Sequence, residues 1–287
     1  GADHFANLLY TFDAAHKLTG AIINVPCPSQ CSEHEWALSA DFWHEVRQNL
    51  RRTHGPLFIL PQCAAAGDIS PRLLHYRKAQ ERRFKLKATT ERQEIADRIT
   101  VAFDEVLAWA AKDIRDALPL KHETRQIALE RRRITTEEYE AHVKALEEMN
   151  KETFATQGTP KQRVMHDSVL AARRNRARLV IERYRVQDKE PTIPMCLHVV
   201  KLGEIAFAFN PFEMYMDYMH RIQARSPFEQ TFIVQLSGDE ISASYGYLAT
   251  DRGVWGGGYS ASLYCNHVSP AGGQQLVEST LDLLNKA

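Results

Sequence analysis

The alternation of hydrophobic and polar positions predicts two strands, a helix and a third strand at the start of the chain. Apolar runs at residues 8–12 and 21–25 flank a polar turn at residues 13–17, a pattern typical of a β-hairpin. Residues 39–41 precede apolar positions at helical spacing, which predicts an amphipathic helix that Gly55-Pro56 ends. The apolar run at residues 56–60 predicts a buried strand, because it is short and bounded by turn residues.

A long charged segment follows, and its pattern is helical. Between residues 72 and 190 Lys, Arg, Glu and Ala dominate, with apolar residues such as Ile95, Ile99 and Phe103 at helical spacing. This segment predicts a helical insertion or arm with solvated charged faces. Its basic stretch at residues 173–178 favours packing against the α/β body, or against another subunit of a homo-oligomer, over RNA binding. The reason is that acidic residues offset the charge and no aromatic residues are interleaved.

The alternation of strands and helices returns after residue 191. The pattern predicts strands at 195–200, 205–209 and 231–236, and helices at 212–224 and 274–284. A glycine-rich loop at 246–258 separates the last strand from the last helix. We therefore expect an α/β fold with a mixed central β-sheet flanked by helices. Residues 1–71 and 191–287 form its two parts, and the helical segment 72–190 interrupts it.

Composition narrows the class of protein. The 287 residues carry 36 Lys and Arg against 36 Asp and Glu, so the whole chain offers no electrostatic case for binding nucleic acid or an anionic membrane. No apolar run approaches the length of about 18 residues that a transmembrane helix needs. The five cysteines are too few and too scattered for a disulfide framework, so the compartment stays open.

The string Gly67-Asp68-Ile69-Ser70-Pro71 is the first candidate for chemistry. It follows the predicted strand at 56–60, which places the Ser70 hydroxyl at the carboxyl end of a strand, where α/β sheets bind ligands. Gly67 permits a close turn there. The alternative is that Asp68 and Ser70 serve only as turn or N-cap residues.

Three further positions carry candidate chemistry. Pro211 at a predicted helix start places Glu213 in the first turn, where a carboxylate either faces the site or only satisfies the helix dipole. Tyr247 lies in the glycine-rich loop at 246–258 and Tyr259 directly follows it, and the two tyrosines either act on a ligand or pack on the sheet. Cys27, between two prolines, is a thiolate ligand, a nucleophile or an inert thiol.

The strings at 67–71, 211–213 and 247–250, together with Tyr259, resemble the catalytic domain of the neutral/alkaline non-lysosomal ceramidase family. In that family two His, a Glu and a Tyr hold zinc, a Ser lies beside the activated water, and a second Tyr helps the oxyanion. The resemblance implies that Ser70 takes the serine position, that Glu213 and Tyr247 are zinc ligands, and that Tyr259 is the oxyanion tyrosine.

Two departures from the family pattern stand out. Cys27 falls where the family has its second zinc histidine, so this ligand is changed or lost. The Thr-His-x-His-Ser-Gly-Pro string that carries the first histidine does not occur in the sequence, and His4 is a poor substitute for it. We therefore expect the natural protein to have a preceding segment that supplies a further ligand. The immunoglobulin-like C-terminal domain of ceramidases also has no counterpart in the sequence.

Three functional hypotheses follow. The first is a ceramidase-like, zinc-dependent hydrolase of an amide or related acyl bond in a small molecule or lipid. Cys27, Glu213 and Tyr247 would bind the metal, Ser70 and Tyr259 would hold the water and the oxyanion, and Asp68 would orient the turn. The second is a metal-free hydrolase that uses Cys27 as nucleophile. The third is a non-catalytic relative that binds lipid or glycan or serves in assembly. The resemblance suggests a secreted or periplasmic protein.

Overall fold

A computed structural model describes residues 3–238 and 246–286, which form nine strands and eight helices. The strands and helices alternate along the chain, which confirms the predicted α/β class. The strands are β1 (Asn7–Phe12), β2 (Leu18–Val25), β3 (Phe58–Cys63), β4 (Leu120–Glu130), β5 (Thr192–Leu202), β6 (Ile205–Phe209), β7 (Glu213–Met214), β8 (Gln230–Val234) and β9 (Tyr247–Leu248). The helices are α1 (Phe42–His54), α2 (Arg77–Lys87), α3 (Glu91–Ala110), α4 (Thr136–Lys151), α5 (Pro160–Val186), α6 (Met216–Gln223), α7 (Asp251–Gly256) and α8 (Pro270–Asn285).

The first sheet has the strand order β1-β2-β3. The predicted hairpin is confirmed, because β1 and β2 pair antiparallel, and β3 joins β2 in parallel. Helices α1 and α3 cover one face of this sheet and form a hydrophobic core with it, in which Phe42, Val46, Leu50 and Phe103 have no exposed surface. Strand β3 is only half-buried rather than fully buried as the apolar run predicted, because Phe58 and Leu60 face solvent while Ile59 faces the core.

The second sheet has the strand order β4-β5-β6-β8. Strands β4, β5 and β6 pair antiparallel, and β8 adds in parallel to β6. Helices α6 and α8 pack on its inner face and enclose the larger core. The predicted strands around the turn at 202–204 and the predicted last helix are therefore confirmed.

Strand β4 is a finding that the sequence did not predict, since it lies inside the segment expected to be helical. Its first half carries Lys121, Glu123 and Arg125, which obscure the apolar alternation. Pairing with β5 along eleven residues accommodates these charges, and Glu123 lies between Lys121 (2.9 Å) and Lys201 (3.1 Å). The rest of the segment is helical, with α4 and α5 packed together as an antiparallel pair.

The described strands form two adjacent mixed sheets, with a third pair made by β7 and β9, rather than one continuous central sheet. Side chains join the two larger sheets: the Asn24 amide of β2 donates to the carbonyl of Ile233 in β8 at 2.9 Å. Across the described ranges, none of the helices is long and apolar enough to cross a bilayer.

Candidate functional site

Glu213 lies in a short strand that precedes helix α6. The turn after β6 is closed by Asn210, whose side-chain oxygen accepts from the N–H of Phe212 at 3.1 Å. Glu213 then pairs in parallel with Tyr247, and its N–H donates to the carbonyl of Gly246 at 3.0 Å. Helix α6 begins only at Met216. The prediction that Glu213 occupies the first helical turn is therefore wrong, because the backbone of Glu213 forms strand hydrogen bonds with the glycine-rich segment instead.

The Gly67-Asp68 turn packs directly on this segment. The N–H of Gly67 donates to the carbonyl of Met214 at 2.8 Å, and a Cβ at Gly67 would lie 2.2 Å from the carbonyl oxygen of Glu213. The Asp68 carboxylate accepts from the N–H of Met216 at 2.9 Å. Asp68 thus caps the first turn of α6, where the helix dipole favours a negative charge. The alternative that Asp68 serves as an N-cap residue therefore agrees with this hydrogen bond. The helix that it caps, however, is distant along the chain.

Ser70 lies two residues further along the same loop. Its hydroxyl oxygen accepts from the N–H of Arg72 at 3.2 Å, which is the local bond of a serine turn. The Arg72 guanidinium in turn donates to the carbonyls of Gln30 and Cys31, both at 2.8 Å. These hydrogen bonds connect the loop to the segment that follows Cys27. The role of Ser70 toward a reacting water stays a prediction.

Two tyrosines, Tyr247 and Tyr259, complete the candidate site. Tyr247 is the strand partner of Glu213. Burial is the largest cause that raises the pKa of Tyr247 above its ordinary value, and the neighbouring Glu213 carboxylate adds to this rise. The Tyr259 ring meets the Tyr247 ring edge-to-face, with 5.9 Å between centroids. A hydrogen bond with Cys265 is the largest cause that raises the pKa of Tyr259, and burial is the second. Both hydroxyls therefore keep their protons at neutral pH and act as donors.

Cys27 lies beside Cys63, at the end of the first sheet. The Cys63 thiol donates to the carbonyl of Cys27 at 3.6 Å. Burial raises the pKa of Cys27 to about 12, with the charges of Cys63, Asp41 and Glu91 as further causes. Burial also raises the pKa of Cys63 to about 11, and the Glu213 carboxylate adds to this rise. Since the thiolate is the reactive form, this environment argues against Cys27 as an activated nucleophile.

The side chains that converge here do not by themselves fit a zinc ion. Within the described parts of the chain, no group of three or more His, Cys, Asp and Glu is placed to hold a metal. Glu213 and Tyr247 offer two oxygen donors, whereas zinc takes three or four protein ligands. The zinc set of Cys27, Glu213 and Tyr247 therefore stays a prediction.

Sequence reasoning missed two residues that shape the site. The buried side chain of Gln235 accepts from the N–H groups of Ala66 (3.0 Å) and Met214 (3.2 Å), so it joins the turn to β7. The sequence signal that could have found Gln235 is its position, since it is a polar residue directly after the apolar residues of a predicted strand. Arg176 of α5 lies over the Tyr259 ring at 5.6 Å from its centroid, and only its position in the basic stretch marked it.

Comparison with known proteins identifies the fold. No family model and no curated protein matches the sequence. The neutral ceramidase from Pseudomonas aeruginosa matches in structure with a TM-score of 0.58 at 15% identity, over 96% of this chain and 46% of that chain. A ceramidase complexed with C2 matches with a TM-score of 0.57 at 13% identity, over 96% of this chain and 47% of that chain. The chain thus spans about half the length of these enzymes, and it shares the neutral ceramidase fold that its motifs predicted.

Proposed function

We propose that this chain belongs to a ceramidase-like hydrolase that cleaves an amide or related acyl bond in a lipid or small molecule. The observation that carries the proposal is the juxtaposition of Glu213 and Tyr247, which pair across strands β7 and β9, with the Tyr259 ring against Tyr247. The likeness in fold to neutral ceramidase supports the class of substrate. The position of the pair supports the reaction, since strand β7 and the capped start of α6 hold it rigidly.

The chemistry follows from the protonation of these three groups. Glu213 takes a proton from the water that attacks the carbonyl and returns it to the leaving amine, as a general base and then a general acid. Tyr247 and Tyr259 donate hydrogen bonds to the developing oxyanion, because a phenol hydroxyl is protonated at neutral pH. Removing one such donor typically costs about 2.7–4 kcal/mol of barrier. Zinc would need protein donors beyond Glu213 and Tyr247.

The test is hydrolysis of a short-chain N-acyl amide by the whole protein. We expect Glu213→Gln to lower kcat by about 10²–10⁴-fold, the usual contribution of a general base. Tyr247→Phe should lower kcat by about 10²–10³-fold, the loss seen when an oxyanion donor is removed. The matched controls are Glu147→Gln and Tyr76→Phe, which change exposed residues and should leave kcat unchanged. Equal rates in Tyr247→Phe and the controls would reject the site.

The metal hypothesis is tested on the same variants by a separate measurement. Elemental analysis of the purified protein gives the zinc content of the wild type, Glu213→Gln and Cys27→Ser. A loss of zinc in both variants would support the set of ligands that the resemblance predicts. Unchanged zinc in both would exclude Glu213 and Cys27 as ligands, whatever the activity.

A second candidate is a non-catalytic relative that binds lipid or glycan, or that serves in assembly. The observation in its favour is the incomplete set of metal donors in the described residues. Saturable binding of a short-chain N-acyl amide without turnover, at any zinc concentration, would favour this candidate over the hydrolase. Self-association through α4 and α5, measured by analytical ultracentrifugation, would favour the assembly role.

A further inference from the structure

Arg176 places a positive charge at the rim of the candidate site. It lies on α5, and its guanidinium carbon is 4.8 Å from the ring centroid of Tyr264 and 5.6 Å from that of Tyr259. Within residues 3–238 and 246–286 this guanidinium makes no ion pair and no hydrogen bond. By contrast, Arg174 and Arg183 of the same helix bind backbone carbonyls. Arg176 therefore keeps its N–H groups for another partner.

The contact with the two tyrosines leaves those N–H groups available. A cation–π contact needs none of the five N–H donors of the guanidinium, which lie in the guanidinium plane. This arrangement suits a carboxylate, which accepts two parallel bonds from one guanidinium. A ligand can reach the place, because 55% of Tyr259 is exposed and Arg176 is only half-buried.

The charges around the site give a bound ligand one orientation. Arg176 touches the outer tyrosine, Tyr259, and that ring contacts Tyr247, which pairs with Glu213 across strands β7 and β9. A cation and a carboxylate therefore stand at opposite ends of a pair of aromatic rings. This arrangement suits a negatively charged group at the Arg176 end and a neutral amide at the end of Tyr247 and Glu213.

We propose that Arg176 recognises a carboxylate of the substrate, so that the site takes acidic N-acyl amides such as N-acyl amino acids. The amide part of this assignment rests on the proposed function. The recognition of the carboxylate rests only on the geometry around Arg176. Arg176 is thus a specificity residue that touches the ligand at a distance from the bond that is cleaved.

The experiment measures equilibrium binding by calorimetry with a matched pair of probes, N-octanoyl-4-aminobutyrate and its neutral carboxamide. We expect the wild type to bind the carboxylate at least tenfold more tightly than the carboxamide. Arg176→Met should weaken carboxylate binding about tenfold and leave carboxamide binding unchanged. Arg176→Lys should retain part of the preference, because it keeps the charge but loses the paired N–H groups.

The control is Arg178→Met, an exposed arginine on the same helix, which should bind both probes as the wild type does. Equal affinity of the wild type for the two probes, no binding of either, or a preference that survives in Arg176→Met would overturn the proposal. Hydrolysis of the two probes is measured separately. A binding preference without hydrolysis rejects the proposed reaction alone, whereas hydrolysis of both probes with equal kcat/KM rejects the Arg176 assignment alone.

Discussion

Gly67 shows how a single residue sets the geometry of the candidate site. Its backbone touches that of Glu213 so closely that no side chain fits between them. The turn also positions Asp68 at the start of α6. One residue without a side chain thus aligns both the acid of the proposed reaction and the helix that follows it.

We predict that Gly67→Ala lowers the free energy of unfolding by about 1–3 kcal/mol, the usual cost of forcing extra atoms into a packed interior. The cause is the added Cβ, which would lie 2.2 Å from the Glu213 carbonyl oxygen and push β7 away. Urea denaturation followed by circular dichroism measures the change. Gly256→Ala is the matched control, because a Cβ there meets nothing within 4 Å. A loss of the same size in both variants would contradict the packing argument.

The thiol of Cys27 gives a second prediction, which concerns pH. With a pKa of about 12, Cys27 is almost entirely protonated at pH 8, so its alkylation in the folded protein should be on the order of a thousandfold slower than in the unfolded chain. The rate should rise with pH as the thiolate forms. Mass spectrometry after iodoacetamide treatment measures the modification of Cys27, and the same protein in guanidinium is the control. Rapid labelling of Cys27 in the native protein at pH 8 would contradict this prediction and would support the hypothesis of a metal-free hydrolase that uses Cys27 as nucleophile.

Among the elements, helix α5 links the charged segment to the loop that carries the second tyrosine. Arg183 of α5 is buried and donates to the carbonyls of Leu263, Arg132 and Asn266. Burial, with the neighbouring charges of Arg131 and Arg132, lowers its pKa to about 10. The hydrogen bonds to these three carbonyls offset the cost of burying the charge, and they hold the loop against α5. The helical segment is therefore part of the scaffold of the site.

We predict that Arg183→Met lowers the free energy of unfolding by about 1.5–3 kcal/mol, the range for hydrogen bonds to a charged group. The buried carbonyls of the loop lose their donor in this variant, and the environment of Tyr259 changes with them. Urea denaturation measures the stability, and tyrosine fluorescence reports on the loop. Arg178→Met, on the exposed side of the same helix, should remain within about 0.5 kcal/mol of the wild type. Equal stability of the two variants would show that α5 does not hold the loop.

At the scale of the whole molecule, two hydrophobic cores meet at the candidate site. One core lies under the first sheet with α1 and α3, and the other under the second sheet with α6 and α8. Polar side chains connect them at the strand ends: Asn24 bonds to Ile233, and Gln235 contacts Cys63, Ala66 and Met214. The site therefore lies where two independently packed layers are joined by directional bonds.

We predict that Gln235→Met lowers the free energy of unfolding by about 2 kcal/mol or more, because the buried N–H groups of Ala66 and Met214 lose their acceptor. It should also reduce turnover, since Met214 adjoins Glu213. Gln157→Met, at an exposed position, is the control for stability and rate. Wild-type stability together with wild-type rates in Gln235→Met would mean that the junction does not support the site.

The sequence by itself determined the local elements. The hairpin of β1 and β2, helix α1 and the strands β5, β6 and β8 were predicted, because their apolar periodicity reflects which face each element buries. The motif strings also pointed to the fold that the comparisons confirm. Strand β4 was not predicted, since its charges are balanced by residues of another strand.

Only the tertiary structure decided which side chains meet. The pairing of Glu213 with Tyr247, the capping of α6 by Asp68 and the position of Arg176 over Tyr259 join residues that are distant along the chain. Periodicity reports interactions within one element, whereas these contacts depend on how whole sheets and helices pack together. The sequence therefore specified the pieces and the candidate chemistry, and the packing of two layers selected the residues that act together.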